Sequence, residues 1–268
     1  MRLIAYSKDD PAGKNIATHL EKRLSLQKAI LGSVPALASG DLYLLELEGH
    51  LVDLEVQFPD AEWLLCLSRH SSTSGKRCLT SHTPGNLTGG AELGGNPREV
   101  AISNPLLQSL LIRELDKSKD QFGLELQVTL EATHHGPTSL SIPVTFVEIG
   151  SDEDAWRDEL LGDAVSAAVQ HVVSSPPRPL GRSALGVGGG HYPEKFTSLV
   201  EGGGYLMGHI IPRYAMTGGM EFAMVEKCIN RTAGGCNLIC VDWKGTPSQF
   251  KDAIKKISQS LGMELVKV

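Results

Sequence analysis

Aromatic residues are scarce in this chain, at 5% of 268 positions. That leaves few platforms on which nucleic-acid bases could stack, so a dedicated RNA-binding module is disfavoured. Basic residues are outnumbered, 25 Lys and Arg against 31 Asp and Glu, for a net charge of −6. A protein-wide positive field is excluded, and any polyanion must be held by a local patch. The five cysteines (Cys66, Cys78, Cys228, Cys236, Cys240) are odd in number and contain no CxxC pair. A complete intrachain disulfide set and a thiolate zinc knuckle are therefore excluded. Charge appears at Arg2 and Lys8, too early for a secretory apolar region. The longest uncharged runs carry Gly, Pro or His and suit no bilayer-spanning helix. A soluble, intracellular protein is expected, in the cytoplasm.

What the chain does have is glycine, 29 residues, and histidine, nine. Its apolar content of 41% is ordinary for a packed globular protein. Short apolar runs alternate with amphipathic stretches. A first strand is predicted over 2–7, then a helix with Asp10 as N-cap and Pro11 at its first position, ending near Leu24. Residues 42–47 and 51–56 suggest a hairpin around Glu48-Gly49-His50. Residues 62–68 read as a buried strand. Asn104-Pro105 opens a helix carrying Leu106, Leu107, Leu110, Leu111 and Leu115 at helical spacing. Strands are predicted over 124–130, 144–149, 183–187 and 238–241. Ser151 and Asp154 mark the start of a helix running to Val173, stopped by Pro176 and Pro177. Phe250, Ile254, Ile257 and Leu261 place a last helix before Gly262. The alternation predicts an α/β fold, layered α/β/α, around a mixed, largely parallel sheet. Residues 1–268 are read as a single two-lobed unit.

Histidine placement is the informative feature. His19, His50 and His171 have bland explanations in a helix, a turn and a helix end. His70, His82, His134, His135, His191 and His209 fall in or beside loops, several directly after predicted strands, the edge where open α/β sheets bind ligands. Glu131, Glu148 and Asp242 stand near strand ends too. Imidazole and carboxylate together point to acid/base chemistry or a divalent metal. His134 and His135 are adjacent, so their side chains are expected to diverge and not to share one metal unaided. HExxH and GxSxG are absent. The run Gly186-Val187-Gly188-Gly189-Gly190 misses GxGxxG because the sixth position is His191. Its amides suit close approach to a substrate carbonyl or phosphate, or a tight strand exit at positive φ. Lysines 244, 251, 255 and 256 cluster modestly, as solvated surface or as a phosphate-contacting rim.

Several loops together resemble the D-aminoacyl-tRNA deacylases of the archaeal and plant type. The resemblance rests on Ser68-Arg69-His70-Ser71-Ser72, Thr83-Pro84-Gly85-Asn86, Glu131-Ala132-Thr133-His134-His135-Gly136-Pro137-Thr138, Glu148-Ile149-Gly150-Ser151, Gly186 to Tyr192, Gly208-His209-Ile210-Ile211-Pro212 and Val241-Asp242-Trp243-Lys244-Gly245. It covers the chain from about residue 61 to 268; residues 1–60 match weakly. It implies hydrolysis of the ester joining a D-amino acid to the 3′-terminal ribose of tRNA. It also implies dependence on zinc and a core similar to phosphorylase/peptidyl-tRNA hydrolase-like folds.

Residue roles follow as expectations. His134, His135, His70 and Glu131 are the candidate catalytic residues. His134, His191, His209, Asp242 and Glu148 are the candidate metal ligands. Arg69, Gly188, Gly189, Gly190 and Lys244 are the candidate substrate contacts. Glu131 or Glu148 is expected to meet the substrate α-amino group. The partner is the acylated 3′ end of tRNA, with no DNA and no membrane, and a monomer is favoured while the sequence leaves the oligomeric state open. The rival readings are a zinc-dependent peptidase or amidohydrolase on a small substrate, and a non-catalytic nucleotide- or RNA-binding module.

Overall fold

The computed structural model describes residues 1–73, 75–175 and 181–268. The first strand, β1 (Arg2–Ser7), leads into α1 (Pro11–Leu24), whose N-cap Asp10 accepts from Gly13 N at 2.9 Å with Pro11 at the first position. Three short strands follow: β2 (Gln27–Leu31), β3 (Val34–Ser39) and β4 (Leu42–Leu47). They pair antiparallel with one another, and β4 runs parallel to β1. The expected hairpin around His50 is corrected here. Residues Leu51–Asp53 form a single 3₁₀ turn, and β4 finds its antiparallel partner upstream in β3. Leu51 and Leu54 serve as packing, buried over the sheet face.

Next come β5 (Trp63–Ser71), β6 (Cys78–His82), α2 (Pro105–Gln121), β7 (Gln127–Leu130) and β8 (Val144–Ser151). Asn104 caps α2 by accepting from Leu107 N at 3.1 Å. The helix expected from Ser151 is two helices, α3 (Glu153–Trp156) and α4 (Glu159–Ser174). Asp152 and Asp158 each cap one of them, because the second aspartate restarts the chain where the first helix ends. Ser151 lies in β8, and Pro176 and Pro177 lie outside the described residues. The remaining elements are β9 (Arg182–Val187), α5 (Glu194–Glu201), β10 (Tyr205–Ile211), α6 (Arg213–Thr217), α7 (Ala223–Asn230), β11 (Leu238–Val241), α8 (Ser248–Ser260) and β12 (Glu264–Lys267).

Two sheets result. The larger has the order β2-β3-β4-β1-β5-β8-β6-β7, and the smaller, all parallel, β10-β9-β11-β12. Side-chain alternation explains their layering. Ile4, Leu65, Leu67, Val147 and Ile149 face a core shared with α1, α2 and α4. Leu3, Leu64, Cys66 and Phe146 face the other way, under Leu51, Phe58, Leu140 and Ile142. The small sheet lies between α5 with α2 on one face (Phe196, Val200, Met207) and α6, α7 and α8 on the other (Met216, Val225, Phe250). All five cysteines are free. Among the described residues no helix is long and apolar enough to cross a membrane.

Asp10 ties the first helix to the site. Its second oxygen accepts from Ser68 Oγ at 3.1 Å and Arg69 N at 3.0 Å. Asp10→Ala therefore loses a helix cap and two further acceptor contacts, at about 1–2 kcal/mol. Thermal unfolding should fall by roughly 2–8 °C. An unchanged Tm would show that Asp10 carries none of this.

A histidine–glutamate cleft as the candidate active site

Four strand exits meet where the two sheets adjoin. His70 is the penultimate residue of β5, His82 closes β6, Glu131 follows β7, and His191 lies four residues beyond β9. The loops are stitched together by Ala132 N donating to His191 O at 2.8 Å and Thr133 N to Ile210 O at 2.9 Å. The cleft beside them has a volume of about 570 Å³. Asp10, His50, Arg69, His134, Glu148 and His191 are among its walls.

Glu131 is the hub. It is 1% exposed, and its Oε2 lies 2.7 Å from His191 Nε2, 3.3 Å from His70 Nδ1 and 3.7 Å from His134 Nε2. Burial works against its charge, yet the hydrogen bonds from His191 and His70 hold its carboxyl well below the usual range. Glu148 Oε2 approaches His70 Nδ1 at 3.6 Å. Burial dominates there and pushes Glu148 up to about 8. Burial also disfavours a charged His70, but Glu131 and Glu148 outweigh it and raise the imidazole to about 12. His70 thus sits between two carboxyls that favour its charged form, with its Nε2 2.6 Å from Tyr192 Oη.

A second group adjoins the first. His134 Nδ1 is 2.8 Å from Ala132 O and His135 Nδ1 is 2.6 Å from Gly136 O. A carbonyl only accepts, so each Nδ1 carries the proton and each Nε2 presents a lone pair. Burial keeps His82, His134 and His135 neutral, with His135 pulled down to about 3. The expected divergence of His134 and His135 is corrected. His135 adopts a left-handed backbone, φ 44°, which folds its ring back until the two centroids are 4.4 Å apart. One ligand atom each from His82, His134 and His135 lies within 4.8 Å of the others, and the same holds for His70, Glu131 and His191. Glu131 Oε1 and His82 Nδ1 are buried without a hydrogen-bond partner. Neutral imidazoles with their tautomers set by backbone carbonyls, beside an orphaned carboxylate oxygen, are a donor set that suits zinc.

The other expected residues are distributed differently. His209 lies within β10, not in a loop, and is 1% exposed. Its Nδ1 is 3.2 Å from Thr133 Oγ1 and its Nε2 is 3.1 Å from Ala101 O, so both nitrogens serve packing and the ligand role is corrected. Asp242 is also outside the cluster, because Lys195 Nζ at 2.7 Å and Gly245 N at 3.2 Å occupy its oxygen. Arg69 lines the cleft with its guanidinium 5.3 Å from the Trp156 ring centre. Gly188, Gly189 and Gly190 do not line the cleft. Gly188 N donates to Ile211 O at 2.8 Å, and φ of 106° and 78° at Gly188 and Gly189 makes the run a tight strand exit that delivers His191. Lys244 is exposed on the small sheet's edge, outside the cleft.

Sequence reasoning counted His82 among the loop histidines without giving it a role, and left out Tyr192 and Tyr214 as site residues. His82 stands at the end of a strand too polar, Cys78-Leu79-Thr80-Ser81-His82, to announce itself by hydrophobicity. Tyr192 neighbours His191 in the glycine-loop motif, which was the available signal. Tyr214 Oη reaches His191 Nδ1 at 3.2 Å from an element that no periodicity revealed. The poorly matched residues 1–60 contribute Ser7, Asp10, His50, Leu51, Val52 and Asp53 to the cleft wall.

Comparison with known proteins gives a consistent result. The family model described as D-aminoacyl-tRNA deacylase matches residues 57–266. A D-aminoacyl-tRNA deacylase of Aeropyrum pernix is 36% identical over 277 residues, covering 99% of each chain. One of Pyrococcus horikoshii is 32% identical over 281 residues, covering 100% of each. A crystal structure of a conserved protein of unknown function, AF0625, superposes with a TM-score of 0.89 at 27% identity. That match covers 100% of this chain and 95% of the other.

Proposed function

This chain belongs to the D-aminoacyl-tRNA deacylase family, and from that membership we propose how its cleft hydrolyses the ester of a D-aminoacyl-tRNA, releasing D-amino acid and tRNA. The observation that carries the reading is the Glu131 hub, one buried carboxylate gathering His70, His134 and His191 beside a cleft.

His191 is the general base. Glu131 holds its Nε2 at 2.7 Å, which turns Nδ1 toward Tyr214 Oη and an attacking water. The water gives its proton to His191 Nδ1 as its oxygen bonds to the ester carbon, and Glu131 stabilises the imidazolium formed. That proton passes to the ribose oxygen as the ester C–O bond breaks. Oxyanion charge meets Tyr192 Oη, whose hydroxyl the His70 imidazolium polarises across 2.6 Å. Glu148 lines the cleft whereas Glu131 does not, so the substrate ammonium falls to Glu148. The Nε2 atoms of His134 and His135, with His82, would hold zinc. Zinc bound there supplies a Lewis acid that polarises the ester carbonyl and acidifies water. A tRNA substrate supports the cytoplasmic location expected from the sequence.

Deacylation of matched D- and L-tyrosyl-tRNA tests the reading. Turnover of the D ester alone is expected, with an at least tenfold loss on chelation and recovery on zinc return, while His135→Ala lowers bound zinc. Equal rates on both enantiomers would refute the function. Full activity in zinc-free protein would refute the metal.

A further inference from the structure

Several lysines of this acidic chain pair with a carboxylate: Lys117 with Glu114 at 2.7 Å, Lys119 with Asp116 at 2.7 Å and Lys227 with Glu99 at 2.7 Å. Around one aromatic ring the lysines gather differently. Trp243 follows β11, and three ammonium groups converge on its ring: Lys267 Nζ at 4.4 Å, Lys251 Nζ at 5.1 Å and Lys255 Nζ at 5.3 Å from the centroid. They come from two elements, α8 and β12. Of the nearby carboxylates, Asp252 reaches Lys255 at 3.2 Å and Asp242 is taken by Lys195. Among the described residues neither Lys251 nor Lys267 has a carboxylate partner. The ring's electron-rich face attracts each cation, but three like charges around one ring repel, and a polyanion relieves that repulsion.

Topology connects the patch to the chemistry. β9 and β11 are neighbours, with Val187 opposite Val241, so the Gly188–His191 loop and the Asp242–Trp243 segment leave the same sheet edge side by side. Gly245 and Gly189 are packed against one another there, and β12 ends next to β11. Counting strands at about 4.8 Å each, β12 and Lys267 stand roughly 10 Å from the loop that carries His191. A strand of nucleic acid that leaves the cleft along this sheet edge would pass the patch.

We propose that Trp243, Lys251, Lys255 and Lys267 form the site that grips backbone phosphates of the substrate's single-stranded 3′ end, with the indole holding the three ammonium groups in place. The site rests on the deacylase reading for the identity of its ligand and accounts for how a chain of net charge −6 holds a polyanion. Its contacts go to phosphate, so it is indifferent to base sequence.

The test compares wild type with the triple variant Lys251→Ala, Lys255→Ala, Lys267→Ala in the full chain. Alanine suits the helix positions. Binding of deacylated tRNA by fluorescence anisotropy should weaken about tenfold, and the slope of log Kd against log salt should fall by about 2, from three lost contacts. In steady-state deacylation of D-tyrosyl-tRNA, KM should rise with kcat within about twofold. Lys251→Ala alone should give about a third of the slope change, and serves if the triple variant folds poorly. Unchanged affinity and slope overturn the patch, whether or not the wild type deacylates. So does displacement of tRNA by polyglutamate of matched charge as effective as by tRNA itself. A wild type that binds tRNA through the patch yet leaves D-tyrosyl-tRNA intact would instead overturn the parent reading.

Discussion

Glu131→Gln is expected to lower kcat on D-tyrosyl-tRNA by about 1,000-fold. The replacement keeps shape and volume but removes the anion. His191 then loses the charge that stabilises it as an imidazolium, and the amide N–H of glutamine opposes the imidazole N–H now held at 2.7 Å. His70 keeps Glu148 as one partner at 3.6 Å, so the fold around β5 should survive. Stopped-time deacylation together with circular dichroism checks this. Activity within tenfold of wild type, in a folded variant, would remove Glu131 from the centre of the mechanism.

Gly136→Ala should have the second largest effect, through geometry alone. A Cβ at Gly136 overlaps the Val52 carbonyl oxygen and comes within 2.5 Å of Gly95 N and 2.6 Å of Gly94 C. All three are backbone atoms, which cannot swing aside as a side-chain end could. The loop must move, and His135 moves with it, because its Nδ1 is 2.6 Å from Gly136 O. Overpacking of this kind costs about 1–3 kcal/mol, and displacing a site loop by about 1 Å costs on the order of 100-fold in rate. Gly204→Ala is the control, since a Cβ there meets nothing within 4 Å. Thermal melting and deacylation of both variants are the measurements. Equal behaviour of the two would show that the 52, 95 and 136 loops are not locked together.

Much of the frame was legible because it is set locally. Asp10-Pro11 and Asn104-Pro105 start helices through a side-chain acceptor and a fixed φ, both written in adjacent residues. Phe250 and Ile254 show their burial by spacing. The elements that escaped detection are short or polar. β2 at the sheet edge and β3 beside it have five and six residues with little burial, and β10 hides His209 inside a run that glycine interrupts. The split between α3 and α4 was missed because two aspartates six residues apart both cap, and only packing decides that both do.

For the site, the sequence by itself determined the chemistry available: six loop- or strand-end histidines, the carboxylates Glu131 and Glu148, and the family those motifs resemble. Residue types and local order are enough for that, because they decide which protons and lone pairs a chain can offer. The tertiary structure alone decided which of them meet. It drew His70, His82, Glu131, His134, His135, Glu148 and His191 together, spent His209 on packing, gave Asp242 to Lys195, and brought Trp243 and its lysines to the same sheet edge as His191. The physical reason is that strand order is set by burying apolar faces across the whole chain, and a 120-residue gap such as that between His70 and His191 carries no local signal of contact.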